Sequence, residues 1–149
     1  MGTHHKGSKK EVTALNTYIK LVRAVESLNQ RLYPFLSRHS LTESQFAVLE
    51  ALYHLGPLNQ RELSDKLLRS PGNITMVIDN LEKRNFVKRE RGELDRRHYI
   101  IHLTSAGKEF IKKILPEHLD SIVKEMNVLS EEEQCQLQKM CKEIGLKEK

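Results

Sequence analysis

The chain has 149 residues, a formal net charge of +5 at pH 7, 38% apolar residues and no tryptophan. That length suits one domain, or one small domain with helical extensions, and the apolar fraction fills only a modest core, so long helices are expected to finish burying their faces against a second subunit. No apolar stretch approaches the ~18–20 residues that span a bilayer. The opening residues 1–10 lack the apolar centre of a secretory signal and read as a disordered basic tail, native or added. Cys135 and Cys141 are the two cysteines. They lie about 1.7 turns apart on one predicted helix, so they point to different faces and cannot pair within it. Reduced thiols suit a cytoplasmic chain.

A first helix is predicted from about Glu11 to Leu32. Leu15, Ile19 and Val22 form one apolar stripe, and Tyr18, Leu21, Val25, Leu28 and Leu32 form a second. Two stripes imply burial on more than one side, as in a helix shared between a core and a dimer partner. Pro34 is expected to end it. Thr42 and Gln45 make a capping box for a second helix, which turns Phe46, Val48, Leu49 and Leu52 inward and stops at Gly56-Pro57. Asn59 and Glu62 make another, opening a short helix with Leu63 and Leu67 inside.

Ser70-Pro71 supplies a cap with proline at the first helical position. Ile74, Val77, Ile78 and Leu81 recur with helical spacing, so the helix from Pro71 to Arg84 has one buried face. Asn85 stands where a left-handed residue is wanted. Phe86–Arg91 and Arg97–Leu103 alternate as a hairpin around Gly92–Asp95. Thr104 caps a long helix that Pro116 is expected to interrupt. Ser130 and Glu133 form a third capping box, leading to a last helix with Leu137, Met140, Cys141 and Ile144.

The expected fold class is therefore mainly α with a small β-hairpin wing: a winged helix-turn-helix flanked by N- and C-terminal dimerisation helices. Its expected divisions are the tail at 1–10, an N-terminal dimerisation helix at 11–38, the winged module at 39–103 and C-terminal dimerisation helices at 104–149.

Residues 83–97 hold seven bases (Lys83, Arg84, Lys88, Arg89, Arg91, Arg96, Arg97) and three acids (Glu90, Glu93, Asp95), an excess of four within a tenth of the chain. Clustered charge of this kind is the footprint of a polyanionic partner. An α-helix fits the major groove of double-stranded DNA, with residues near its N-terminus reaching base edges. On the Pro71 helix these are Ser70, Gly72, Asn73, Thr75 and Met76. Asn73 can pair with adenine through two bonds, and Met76 can touch a thymine methyl. Gly72 costs ~1 kcal/mol against alanine within a helix, which close approach of DNA to the backbone would explain. Arg97 on the wing can enter a minor groove. Arg91 and Arg96 suit phosphates, and only one of the alternating pair Lys88 and Arg89 is expected to face DNA.

Taken in order, Ser70–Val87, then Asp95-Arg96-Arg97, then Leu103-Thr-Ser-Ala-Gly107, with Pro116-Glu-His118 and Leu129-Ser-Glu-Glu-Glu133 beyond, resemble the MarR family of transcriptional regulators across roughly residues 12–146. The resemblance implies an obligate homodimer with interlocked terminal helices, binding a pseudo-palindromic operator. It also implies that Asp95 orients the Arg97 guanidinium before docking. Asn85 departs from the family's usual glycine, and Met76 replaces a frequent arginine, which softens any inference about the operator. The family is expected to respond to a small aromatic or anionic effector, and Tyr33, Phe35, His39, Phe46 and Tyr53 are the candidates to line a pocket, or else ordinary core.

Other readings remain open. The sequence lacks a phosphate-binding glycine loop, GxSxG, CxxC and HExxH, so no enzyme is expected, and no cofactor is implied. His39, Glu43 and His118 could converge as a metal sensor, but no HxxxH pair occurs on a helix, and no metal site is assigned. Cys135 or Cys141 could act as a redox sensor, although Cys141 at a core position is most simply a small apolar residue. A winged module that binds protein rather than DNA is the rival of a different class.

Overall fold

The computed structural model describes residues 2–94 and 98–147. Its elements in chain order are α1 (Lys9–Arg38), α2 (Glu43–Leu55), β1 (Leu58–Asn59), α3 (Gln60–Leu67), α4 (Pro71–Lys83), β2 (Val87–Arg91), β3 (Tyr99–Leu103), α5 (Ser105–Met126) and α6 (Glu131–Gly145). They divide into two compact units, residues 33–118 and residues 1–32 with 119–149. No helix among the described residues is long and apolar enough to cross a membrane.

The unit at 33–118 is a winged helix-turn-helix. Local chemistry fixes its helix ends. The capping boxes of Thr42 with Gln45 and of Asn59 with Glu62 are both formed, and the Ser70 hydroxyl accepts from the Asn73 amide ahead of Pro71. Three helices close on a left-handed residue. Ser40, Leu68 and Asn85 have φ of 53°, 52° and 59°. Behind each, paired backbone bonds such as Phe86 N to Leu81 O and Asn85 N to Glu82 O satisfy the last carbonyls. The turn from α3 to α4 is tied further by Ser64, whose buried hydroxyl donates to Arg69 O at 2.5 Å while Arg69 N donates to Ser64 O.

Leu49, Leu63, Ile74, Ile78, Leu81, Val87, Ile101 and Ile111 are wholly or almost wholly buried in one core. The sheet is antiparallel in the order β1-β3-β2, with Leu58 opposite Ile101 and Arg89 opposite Ile101 from the other side. The two-residue strand β1 is too short to show a period in the sequence. Gly107 has a plain structural cause, because a Cβ there would stand 2.0 Å from Phe86 O. Beside it, Thr104 caps α5 by accepting from Gly107 N and donates to Asn85 O. This locks the start of α5 to the end of α4.

Three boundaries differ from expectation. Helix α1 runs through Pro34 to Arg38, and α5 runs through Pro116 to Met126. An interior proline costs about 3 kcal/mol. Phe35 and Leu36 just after the first, and Ile114 and Leu115 just before the second, are buried in the core, and each such side chain returns roughly 1.5–3 kcal/mol. Tertiary burial thus overrides the local breaker. Helix α1 also starts within the segment read as a tail. Ser8 and Glu11 exchange side-chain and backbone bonds as a cap, and Thr3 N donates to Asn16 Oδ1 at 2.7 Å.

The other unit has the first turns of α1, the end of α5 and α6. Ser130 and Glu133 form the expected capping box, and Arg31 pairs with Glu125 at 2.7 Å. None of its described residues is buried. Tyr18, Val25, Val123, Leu137, Met140 and Ile144 are all exposed, from 38% for Leu137 to 65% for Tyr18.

Candidate nucleic-acid interface

Helix α4 buries Ile74, Val77, Ile78 and Leu81, and this single stripe fixes which residues it can offer outward. Pro71, Gly72, Thr75 and Met76 are exposed at its N-terminal end, with Ser70 in front of them. A Cβ at Gly72 would meet nothing within 4 Å, so the protein's own packing does not demand glycine there. Met76 is 57% exposed.

The polar side chains of this turn are tied into the protein. Thr75 Oγ1 donates to Pro71 O at 3.0 Å and accepts from Gln60 Nε2 at 3.2 Å. Ser70 Oγ accepts from Asn73 N at 3.2 Å. Asn73 is half-buried, and its Oδ1 is closed off from solvent without a hydrogen-bond partner. Pairing with adenine uses both ends of the amide, so the two-bond reading of Asn73 would require its side chain to turn.

The wing strand is anchored to α4 by Arg89. Its guanidinium binds Asp79 at 2.5 Å, Glu82 at 3.1 Å, the Thr75 carbonyl at 3.4 Å and Gln60 Oε1 at 3.3 Å, and only 17% of the side chain is exposed. Its backbone N–H also donates to Glu82. Of the alternating pair, Arg89 therefore points into the module. Lys88 is exposed but pairs with Glu90 at 2.8 Å. That hydrogen bond, then the Lys88 charge and then the His102 charge, hold the Glu90 carboxyl below the usual range. Arg84, counted among the clustered bases, is likewise turned inward. It donates to Ser40 O at 2.6 Å and His39 O at 3.3 Å and stacks over Phe86 at 4.8 Å.

Arg91 is exposed at the end of β2, 5.8 Å from the Tyr99 ring centroid. Gly92 N donates to His98 O across the hairpin. Asp95, Arg96 and Arg97 lie outside the described residues. A cleft of about 520 Å³ is lined by Gln60, Arg61, Asp65, Pro71, Thr75 and Tyr99, among others, so it adjoins the exposed turn of α4.

The inward role of Arg89 carried a sequence signal. It lies two residues after buried Val87, and strand side chains alternate. Its acceptors, on α3 and α4, carried none.

The candidate pocket residues separate. Phe35, His39 and Phe46 are gathered with His118: Phe35 to Phe46 is 6.0 Å, Phe35 to His39 5.1 Å and Phe46 to His118 4.5 Å between ring centroids. Burial there pushes the His118 pKa down, against a smaller upward pull from Glu50. Tyr33 stands apart, donating to Glu43 at 3.2 Å, and that carboxylate's charge is the first cause raising the phenol's pKa. Tyr53 pairs with His54 instead.

Glu43 reaches Tyr33 and Arg69 rather than the two histidines. Among the described residues no group of three or more His, Cys, Asp or Glu side chains is arranged to hold a metal ion. Cys135 and Cys141 are both exposed on α6, so the core position expected for Cys141 is not a buried one in this chain.

The MarR family model matches residues 41–99. The HTH-type transcriptional regulator MhqR of Bacillus subtilis (strain 168) is 36% identical over 136 residues, covering 91% of this chain and 94% of that protein. Among solved structures, Sco3205, a MarR family transcriptional regulator from Streptomyces coelicolor in complex with DNA, has a TM-score of 0.86 at 21% identity. The match covers 99% of this chain and 94% of that one. NadR in complex with 4-hydroxyphenylacetate has a TM-score of 0.77 at 24% identity, covering 99% and 100%. At these identities the structural likenesses establish the fold.

Proposed function

This chain belongs to the MarR family, and from that premise we propose that it is a sequence-specific transcriptional regulator binding double-stranded DNA as a homodimer. The observation that carries the reading is the exposed N-terminal turn of α4, held beside a basic wing by Arg89. Helix α4 enters the major groove, while the wing, with Arg91 and the Asp95–Arg97 segment, follows the flanking minor groove. Ser70 keeps a hydroxyl proton for a phosphate, and the amides at the start of α4 favour an anion there.

A second copy of the chain covers the apolar side chains left exposed in the unit at 1–32 with 119–149, such as Val25, Val123 and Ile144. Two modules then meet two half-sites about one helical turn, ~34–36 Å, apart on a pseudo-palindromic operator. Repression follows from a dimer obstructing polymerase at a promoter. For release we propose a small aromatic anion as effector. NadR, which shares the fold, takes 4-hydroxyphenylacetate, and Tyr33, Phe35, His39 and Phe46 offer the matching aromatic surface here. The role is regulatory rather than enzymatic, and its place is the cytoplasm, where the operator is.

Anisotropy of labelled duplex from the region upstream of the chain's own gene tests this reading. Tight binding that weakens steeply with salt, resists random competitor and is lost in Arg97→Ala is expected. Binding equal to that of random duplex and indifferent to the substitution would overturn it.

A further inference from the structure

The way α4 would read bases can be narrowed further, granted the reading of the chain as DNA-binding. Recognition by hydrogen bonds needs free donors and acceptors at the exposed turn. Thr75 has spent its only proton on Pro71 O, and Gln60 takes one of its lone pairs. Ser70 accepts its capping bond from Asn73 N at the very start of the helix, which suits its remaining proton to a phosphate. Asn73 hides its amide oxygen. Exchanging the ends of that amide would hide the nitrogen instead, and either way only one end remains for a base.

What the turn does present is apolar: Pro71, the bare backbone of Gly72, Met76 at 57% exposure, and Thr75, whose methyl is the part of the side chain not already bonded. Nothing in the protein's own packing requires a long apolar side chain at 76. Its flexible, polarisable thioether suits contact with a small apolar group of variable position. In the major groove the apolar group that distinguishes one base pair from the other three is the thymine C5-methyl. The occupant of this surface is DNA rather than protein, because the same module carries the basic excess of residues 83–97, with Lys83, Lys88 and Arg91 exposed. Positive charge around an apolar centre complements a methyl-bearing groove between phosphates.

We propose that α4 reads thymine methyl groups, with Met76 as the specificity-determining residue and Thr75 beside it, and that polar contacts from this turn go chiefly to phosphate. The half-site should therefore carry thymines where Met76 docks.

The test enriches duplexes from a random library with the full chain, then replaces each half-site thymine in turn by deoxyuridine. That change removes the methyl and leaves the hydrogen-bonding edge intact. Loss of about fourfold in affinity per contacted methyl is expected, from the usual value of a buried methylene. Met76→Ala should bind the thymine and deoxyuridine duplexes alike at its position while keeping the wild-type thermal midpoint. Met76→Leu should retain the discrimination, which a merely structural role would not require. Equal wild-type affinity for both duplexes would overturn the inference, as would full discrimination by Met76→Ala. If no sequence is enriched at all, the operator-binding reading itself fails, and this inference falls with it.

Discussion

In residues 33–118 the core side chains Leu49, Leu63, Ile74, Ile78, Leu81 and Ile101 are fully buried. In residues 1–32 with 119–149 no described residue is buried, although Tyr18, Val25, Val123, Met140 and Ile144 recur on its helices. Both regions have capped helices, so the contrast lies in packing rather than in local structure. The winged module closes its own core from α2, α3, α4, the three strands and the buried ends of α1 and α5. The flanking helices carry apolar stripes with nothing described in the same chain to shut them from water. A helix that is apolar on an exposed face gains most of its stability from a partner. A second copy of the chain is the partner we propose.

The contrast is broken most severely by cavities in the module. Leu49→Ala or Ile78→Ala should cost about 2–5 kcal/mol in equilibrium unfolding. The same truncation at exposed Val123 should cost a dimer its interface contact but leave a monomeric fold almost unchanged.

Next in size are charges placed on the flanking helices. Val25→Glu together with Ile144→Glu should lower the solution mass from twice 17.3 kDa to 17.3 kDa. Far-ultraviolet circular dichroism should keep its helical signal, because neither residue belongs to a core. A variant that stays dimeric would move the interface elsewhere.

Arg89 sharpens the comparison inside the module. Arg89→Met should cost roughly 1–2 kcal/mol, since charged hydrogen bonds are lost while Asp79 and Glu82 stay hydrated at the surface. Operator affinity should fall with the salt slope unchanged, because Arg89 orients the wing and touches no phosphate. Arg91→Ala should instead lower the slope by ~0.9, the signature of one lost phosphate contact.

The smallest effect concerns pH. Burial among Phe35 and Phe46 holds His118 below its ordinary value of 6.5, so the unfolded chain takes up the proton first as pH falls. The stability tied to neutral His118 is complete above 6.5 and declines as pH drops through that value towards the folded pKa. The thermal midpoint should fall from pH 7 to pH 5.5, and His118→Phe should reduce that fall.

Much of the fold was legible because its signals are local. Thr42 with Gln45, Asn59 with Glu62 and Ser130 with Glu133 announce their helices within four residues, and Asn85 takes the left-handed place that its position asks for. Features that depend on distant partners were misread or hidden. Pro34 and Pro116 look like breakers until Phe35, Leu36, Ile114 and Leu115 are seen in the core. Gly107 belongs to a recognisable motif, but its cause is the Phe86 carbonyl, reached only through the fold.

The candidate site was legible in position more than in chemistry. The sequence places Ser70, Gly72, Asn73, Thr75 and Met76 on one turn. It does not say that Gln60 occupies Thr75, or that Arg84 and Arg89 spend their charge inside the module.

The central claim is that two copies of this chain share one operator. The most direct measurement is the mass of the complex by sedimentation, on an enriched duplex at moderate salt, with the free protein alongside. The account predicts two 17.3 kDa chains per duplex and a dimer in the free protein. One chain per duplex, or a free monomer at micromolar concentration, would contradict it.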